Sequence, residues 1–458
     1  MTRTHAPTAL GPGLNHPQRL RLAAELHARP FIRLAAPACI SHLAIQCSED
    51  STWDEHLLTD FCARFGVAAP GSGAQHFFHD FGHFGLKWER HTEFSTYTFI
   101  ESNVTDEAFA ETPMRHVPHD WLSMLSGRVI VASHIATDRG ESYELGNPRL
   151  RRLFPAVTLV GSKVLSGGEL WTDFLVGPDG FSRFLLRDTG LREMQLGRLV
   201  QRICEIETYV MMALLALPLA RENASVLQKV EAEVTRLGLR MQGLDATADQ
   251  VLLQQISGLA ARVRSMSFHS GYRFSAAQAY HRIVRARIGE LREKRIEGVP
   301  TVGEFMDRRL APAMDTCVSV ASRQEALADK ISRSNDLLRT RVSIAQELQS
   351  QRVLERLSHS AAMQLRLQQA VEGLSVVAIS YYGISLAAYG LKALKGWGTG
   401  VNVDGAVGLL LPCVLAATWL GVRHTRRSLH PPKAPRPSNP GDPDEIAAGD
   451  LAGPVKAP

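Results

Sequence analysis

Leu374–Leu391, LSVVAISYYGISLAAYGL, runs for eighteen residues without a formal charge. At the helical rise of ~1.5 Å per residue it measures about 27 Å, enough to cross the hydrocarbon core of a bilayer. A second uncharged run, Gly405–Val422, follows an interval holding Lys392, Lys395, Asp404 and several glycines. The pair predicts a two-helix transmembrane hairpin over residues 373–423.

Upstream, the first span continues a longer helical pattern. Between Gly303 and Gly373 there is no glycine, and the single proline, Pro312, falls near the start. Leu310, Met314, Cys317, Val320, Leu327, Ile331, Leu338, Val342 and Leu348 recur at helical spacing, which marks one apolar stripe. A continuous helix over 313–372 would be a rod of about 90 Å. Its stripe needs a partner, either its own bundle or a second copy of the chain, so a homo-oligomer is expected beside the lipid bilayer. Arg352, Arg356 and Arg366 precede the first span, and Arg423, His424, Arg426 and Arg427 follow the second, against Lys392 and Lys395 in the loop. This bias of positive charge predicts a two-pass protein with both termini in the cytoplasm. Eight prolines follow Leu429, and the segment 424–458 is expected to be a disordered tail.

The remaining chain divides at about Asp188. Before it, SHLAIQ (41–46), the Thr- and aromatic-rich stretch 87–100, and four runs starting at Arg128, Ala156, Gly168 and Gly180 read as strands. A helical pattern over 53–65 is interspersed with them. The fold class is therefore α+β, with a disordered arm over 1–14 and a mixed α/β domain with a largely antiparallel sheet over 15–188. A long-helix bundle or stalk over 189–372 and the membrane hairpin complete it. Tyr209–Ala220 is apolar but short and holds Pro218, so it reads as a buried core helix. Arg221–Gly238 and Asp249–Phe268 read as antiparallel amphipathic helices.

Composition is that of a globular body with a small membrane part: 458 residues, 45% hydrophobic and 21% charged, with a formal charge of +5 and a mean hydropathy of -0.08. Arginines beside the spans account for the basic excess, so no nucleic-acid partner is expected. Six scattered cysteines without a C-x-x-C pair point to a reducing compartment. The N-terminal MTRTHAPTALGPG has no apolar signal region, so the body is expected to stay in the cytoplasm.

HPQR (16–19), ELHARPF (25–31), SHLA (41–44), WERHTEFSTYTF (88–99), EIETYVMMALLALP (205–218), RSNDLLRTRV (333–342) and QLRLQQAVEGLSVVAISYY (364–382) resemble a bacterial family of uncharacterised membrane-anchored proteins, a domain family of unknown function. The resemblance implies an inner-membrane location and brings no established activity or catalytic residues to carry over. In outline the chain also resembles the CorA-type magnesium transporters, which end their first span in Tyr-Gly-Met-Asn. Here Tyr389, Gly390, Leu391 and Lys392 stand at that place, and a ring of lysines would repel divalent cations.

No nucleotide-loop, nucleophile-elbow or H-E-x-x-H motif is present, and no cofactor is expected. A metal ion is the one candidate, at two places. His76, His79 and His83 in HFFHDFGH offer zinc-type ligands, or else belong to an aromatic-packed surface loop. Read as one strand, WERHTEFSTYTF puts Glu89, His91 and Glu93 on one face, either as a metal-dependent or acid-base site or as partners of arginines across the sheet. For conduction, Ser375, Ser380, Tyr381, Tyr382, Ser385, Tyr389 and Lys392 would line the path. The same hydroxyls could bond their own helix or a neighbouring one. The leading expectation is an anchored, oligomeric structural, interaction or sensing module, with cation transport and metal-dependent catalysis as alternatives.

Overall fold

The computed structural model describes residues 15–20, 22–23, 32–47, 52–102, 107–144, 146–155, 158–241, 246–396 and 403–429. The arm expected over 1–14 and the tail beyond Leu429 lie outside the described residues. The chain divides into two compact units, ending and starting at Val342 and Ser343.

In the first unit the described strands form one sheet in the order β2-β3-β4-β1-β5-β8-β7-β6-β9. They are β1 Ala38–Gln46, β2 His76–Asp80, β3 Gly85–Arg90, β4 Phe94–Ser102, β5 Val129–Arg139, β6 Val160–Val164, β7 Gly168–Val176, β8 Ser182–Asp188 and β9 Lys294–Arg295. Only β5 and β8 pair in parallel, so the largely antiparallel mixed sheet expected from the sequence is present.

The helices are α1 Trp53–Arg64, α2 His119–Ser123, α3 Pro148–Leu153, α4 Glu193–Leu214, α5 Ala216–Arg240, α6 Ala246–Leu291, α7 Val302–Gly396 and α8 Val403–Leu429. β1 is buried on both faces, and alternate residues join different cores. Ala38 and Ile40 pack with Leu199 of α4 and Val263 of α6. Leu43 and Ile45 pack with Leu57, Leu58 and Phe61 of α1 and with Trp121. Trp121 meets Phe61 edge-on at 5.0 Å and donates its indole N–H to the Leu57 carbonyl at 3.0 Å, so the ring is buried without stranding its polar atom.

Asp188 marks a change of element type rather than a division of the core. Leu196, Leu227 and Leu310 from three helices share one cluster with Phe184 and Leu186 of the sheet. The apolar stretch 209–220 is split at Leu215 between α4 and α5, and buries Val210, Met212, Ala213, Ala216 and Ala220.

α7 starts eleven residues before the helix expected from 313, because its first turn is capped twice. Thr301 and Glu304 form a reciprocal capping box, with Glu304 N–H on Thr301 Oγ1 at 3.2 Å and Thr301 N–H on Glu304 Oε2 at 3.1 Å. Glu293 accepts from the N–H groups of Val302 at 2.9 Å and Gly303 at 3.0 Å. Val302, Met306, Leu310, Met314, Cys317, Val320, Leu327, Ile331 and Leu338 are buried. Arg323 pairs with Glu231 of α5 at 2.8 Å, and Ser257 of α6 donates to Asn335 at 3.2 Å. The apolar stripe is thus sealed by the bundle as far as Leu338.

In the second unit the described residues of α7 and α8 form a helical hairpin. Ser380 and Thr418 hydroxyls meet at 2.8 Å, and a methyl group built on Gly383 would stand 3.3 Å from Val414 Cγ1, so small residues let the helices approach.

Gly197 is where the segment around Ile32 crosses α4: a Cβ there would lie 1.8 Å from the Ile32 carbonyl oxygen. Gly197→Ala is expected to destabilise the first unit by about 1–3 kcal/mol, as overpacking does. Gly238, exposed on α5 with open space around it, should gain about 0.5–1 kcal/mol on replacement by Ala. Urea midpoints of the two variants check both signs, and equal midpoints would contradict this packing.

Candidate functional site

The two metal candidates are dispersed. His76 and His79 lie on edge strand β2, and three residues along a strand put side chains on opposite faces. His79 stacks on Phe77 at 6.1 Å and meets Phe81 edge-on at 4.8 Å, while His83 stacks on His116 at 6.0 Å. The segment is a strand and turn packed by aromatic rings.

WERHTEFSTYTF is not one strand. β3 ends at Arg90 and β4 starts at Phe94, and the His91 N–H closes the turn onto the Phe94 carbonyl at 2.8 Å. The alternation that would align Glu89, His91 and Glu93 is broken there. Glu89 faces inward against Lys87 at 3.0 Å. His91 stacks on Phe94 at 4.3 Å. Glu93 turns to α6, accepting from Arg273 at 2.6 Å and from the Tyr280 hydroxyl, so its arginine partner comes from a helix and not from across the sheet as the alternative reading had it. Among the described residues no three His, Cys, Asp or Glu side chains are placed to hold a metal ion.

What the sheet does carry is a buried polar seam against α4, around a cavity of about 50 Å³. His42 is held from both sides, Nδ1 to Thr98 Oγ1 at 2.8 Å and Nε2 to Thr208 Oγ1 at 3.0 Å. Lys87 reaches Gln201 at 3.2 Å, Gln201 donates to Glu205 at 2.9 Å, and Glu205 takes Arg287 of α6. These contacts join sheet and helices across up to 166 positions, and no local motif announces them. Burial, then the nearby Lys87 ammonium and His91, pushes His42 down to about 3. His134, bonded to Ser41 at 2.9 Å and stacked on Phe181 at 3.9 Å, falls to about 4, chiefly by burial.

The second unit concentrates the chain's exposed apolar surface. Among the described residues three helical stretches are long and apolar enough to cross a membrane: Glu193–Arg240, 50% buried in its most apolar window, Val302–Ala393 at 6%, and Asp404–Gly421 at 0%. The first is thus half-covered by the body, and the other two present their side chains outward. Their hydroxyls are turned back onto the helices. Ser375 donates to the Val371 carbonyl at 2.9 Å, Ser380 to Val376 at 2.7 Å, Ser385 to Tyr381 at 2.8 Å and Thr418 to Val414 at 2.8 Å. Tyr381, Tyr382 and Tyr389 are exposed. Lys392 lies 6.0 Å from the Tyr389 ring, and Arg423 lies 4.9 Å from the Trp419 ring. Of these, Thr418, Gly383 and the Trp419–Arg423 pair were not singled out by sequence, although a small residue three positions after Ser380 is a visible signal.

His42 and His134 take up protons in the folded chain only near 3 and 4, against an ordinary value of 6.5. The unfolded chain therefore binds more protons between these values, so stability is full above about 6.5 and falls as pH drops toward about 4. His42→Gln should flatten that acid limb by the equivalent of about one proton. Urea midpoints taken across this range test it, and an unchanged slope would reject a neutral, buried His42.

No curated protein is similar enough to this chain to count as a match. A family model described as a protein of unknown function, DUF3422, matches residues 14–429 and so takes in the sheet, the helices and the hairpin. It agrees with the expected family of unknown function, says nothing of a membrane anchor, and lends no support to the CorA-type resemblance. The chain belongs to the DUF3422 family of proteins of unknown function.

Proposed function

We propose that this protein is a membrane-anchored, homo-oligomeric interaction or sensing module, held in a bacterial inner membrane by the α7–α8 hairpin with its sheet-bearing unit in the cytoplasm. The observation that carries this reading is the treatment of polar atoms in the hairpin. Ser375, Ser380, Ser385 and Thr418 bond carbonyls of their own helices while Leu374, Val377, Leu386, Leu409 and Leu420 point outward. Hydrocarbon demands that arrangement, because a polar group without an internal partner is costly there. The rings of Tyr389 and Trp419, each beside a cation, suit the two interfaces. The arginines flanking the spans favour both ends on the cytoplasmic side.

Oligomerisation rests on the apolar surface of α7 beyond Leu338. Ile344, Leu348, Leu354, Leu357, Leu367 and Val371 are exposed, and so are the Tyr381 and Tyr382 rings in the middle of the first span, which meet each other edge-on at 5.7 Å. A second copy would cover both features. The serine hydroxyls that would line a cation path bond carbonyls of their own helix, so they lend conduction no support.

The full chain should stay with membranes through alkaline carbonate extraction, and a chain ending at Glu372 should be released. Release of the full chain would overturn the anchor. In lipid nanodiscs the protein mass should be a multiple of 50.3 kDa, and a single copy would remove the oligomer from the proposal.

A further inference from the structure

The sheet opens beside α4 at a place no sequence motif marks. β5 starts at Val129, but its pairing with β8 begins only at Ser133 opposite Ser182. β7 and β8 lose register between Thr172 and Val176, where Phe174 adopts φ 54°, a left-handed conformation that is unfavourable for a bulky residue. That strained bulge sends the Phe174 ring onto Phe305 of α7, stacked at 4.7 Å. Between them and α4 lies a groove of about 420 Å³, walled by apolar side chains such as Val131, Val176, Met211 and Leu310.

One carboxyl stands in it. Glu207 Oε2 faces Ser182 Oγ at 3.1 Å and Ser133 Oγ at 3.5 Å, and those two hydroxyls lie 2.9 Å apart. Both serines are buried, so this end of the carboxyl is fixed by the first rung of the β5–β8 pairing. Among the described residues nothing bonds its other oxygen. Arg309, exposed on α7, is the only other charged or titratable lining residue.

We propose that this groove binds an apolar molecule ending in a primary ammonium, which pairs with Glu207 and lays its hydrocarbon body against Phe174, Met211 and Phe305. The apolar walls supply burial for the body. The carboxylate, held by two hydroxyls in low dielectric, supplies the specific contact. Arg309 at the rim disfavours a ligand with a second cation.

Burial pushes the Glu207 carboxyl up to about 7, with Ser182 and Ser133 pulling it down. An ammonium needs the ionised form, so its binding strengthens as pH rises through that value. The groove lies wholly in the first unit, so its test is independent of the membrane anchor.

The experiment is calorimetry of hexylamine, hexanol and hexanoate on the full chain in nanodiscs, with empty nanodiscs subtracted. Hexylamine should bind about tenfold or more tighter than hexanol, hexanoate should not bind, and Glu207→Gln should remove the preference for hexylamine over hexanol. Hexylamine affinity should rise several-fold from about pH 6 to about pH 8. Equal binding of the three ligands, preference for hexanoate, no binding of hexylamine, or an amine preference that survives Glu207→Gln would each overturn the proposal. The ligand series on the unaltered chain decides the matter even if the variant fails to fold.

Discussion

Apolar side chains on a helix have to be covered, and α7 carries them for far longer than its own bundle can cover. From Val302 to Leu338 the stripe is sealed by α5 and α6 in the core shared with the sheet. From Ile344 onward the same helix exposes leucine, isoleucine, valine and methionine side chains. Such side chains in water forfeit burial worth ~1.5–3 kcal/mol each. On the proposed reading two further environments cover them, another protein surface before the span and lipid within it, and the hairpin's internally bonded hydroxyls suit the second.

The first unit solves a different problem, that of polar groups enclosed between a sheet and two helical layers. Lys87 and Glu89 pair at 3.0 Å where both are largely buried. A pair of this kind adds little net stability, because desolvation offsets its attraction, yet removal of one partner alone is costly. His42 avoids the expense by staying neutral between two threonines. Glu93 ties the β3–β4 turn to α6. These contacts explain why residues with the look of a catalytic set serve to lock the sheet onto the helices.

The periodic features of this fold were legible in the sequence: the strand at Ser41–Gln46, the runs starting at Gly168 and Gly180 that became β7 and β8, the stripe of α7 and the two apolar runs. What was not legible depends on contacts distant in the chain or on turns without turn residues. His91, Thr92 and Glu93 turn the chain with no glycine, proline or asparagine, inside a stretch whose Thr, Tyr, Phe and Trp content favours strands. The helix expected from 313 begins after Pro312, whereas α7 contains that proline and starts at Val302, where Thr301 and Glu304 spell a capping box. The Glu207 groove arises from a register break at Phe174, and no pattern of hydrophobicity records such a break.

Cys413 offers the most direct test of the membrane hairpin. It is the exposed cysteine of the described chain, on α8 between Leu409 and Trp419, while Cys47 is half-covered and the other four are buried. In proteoliposomes carrying the full chain with Cys47→Ser, the hairpin account predicts that a membrane-impermeant maleimide leaves Cys413 unmodified until detergent is added. Prompt labelling of Cys413 in intact vesicles would place α8 in water and contradict it.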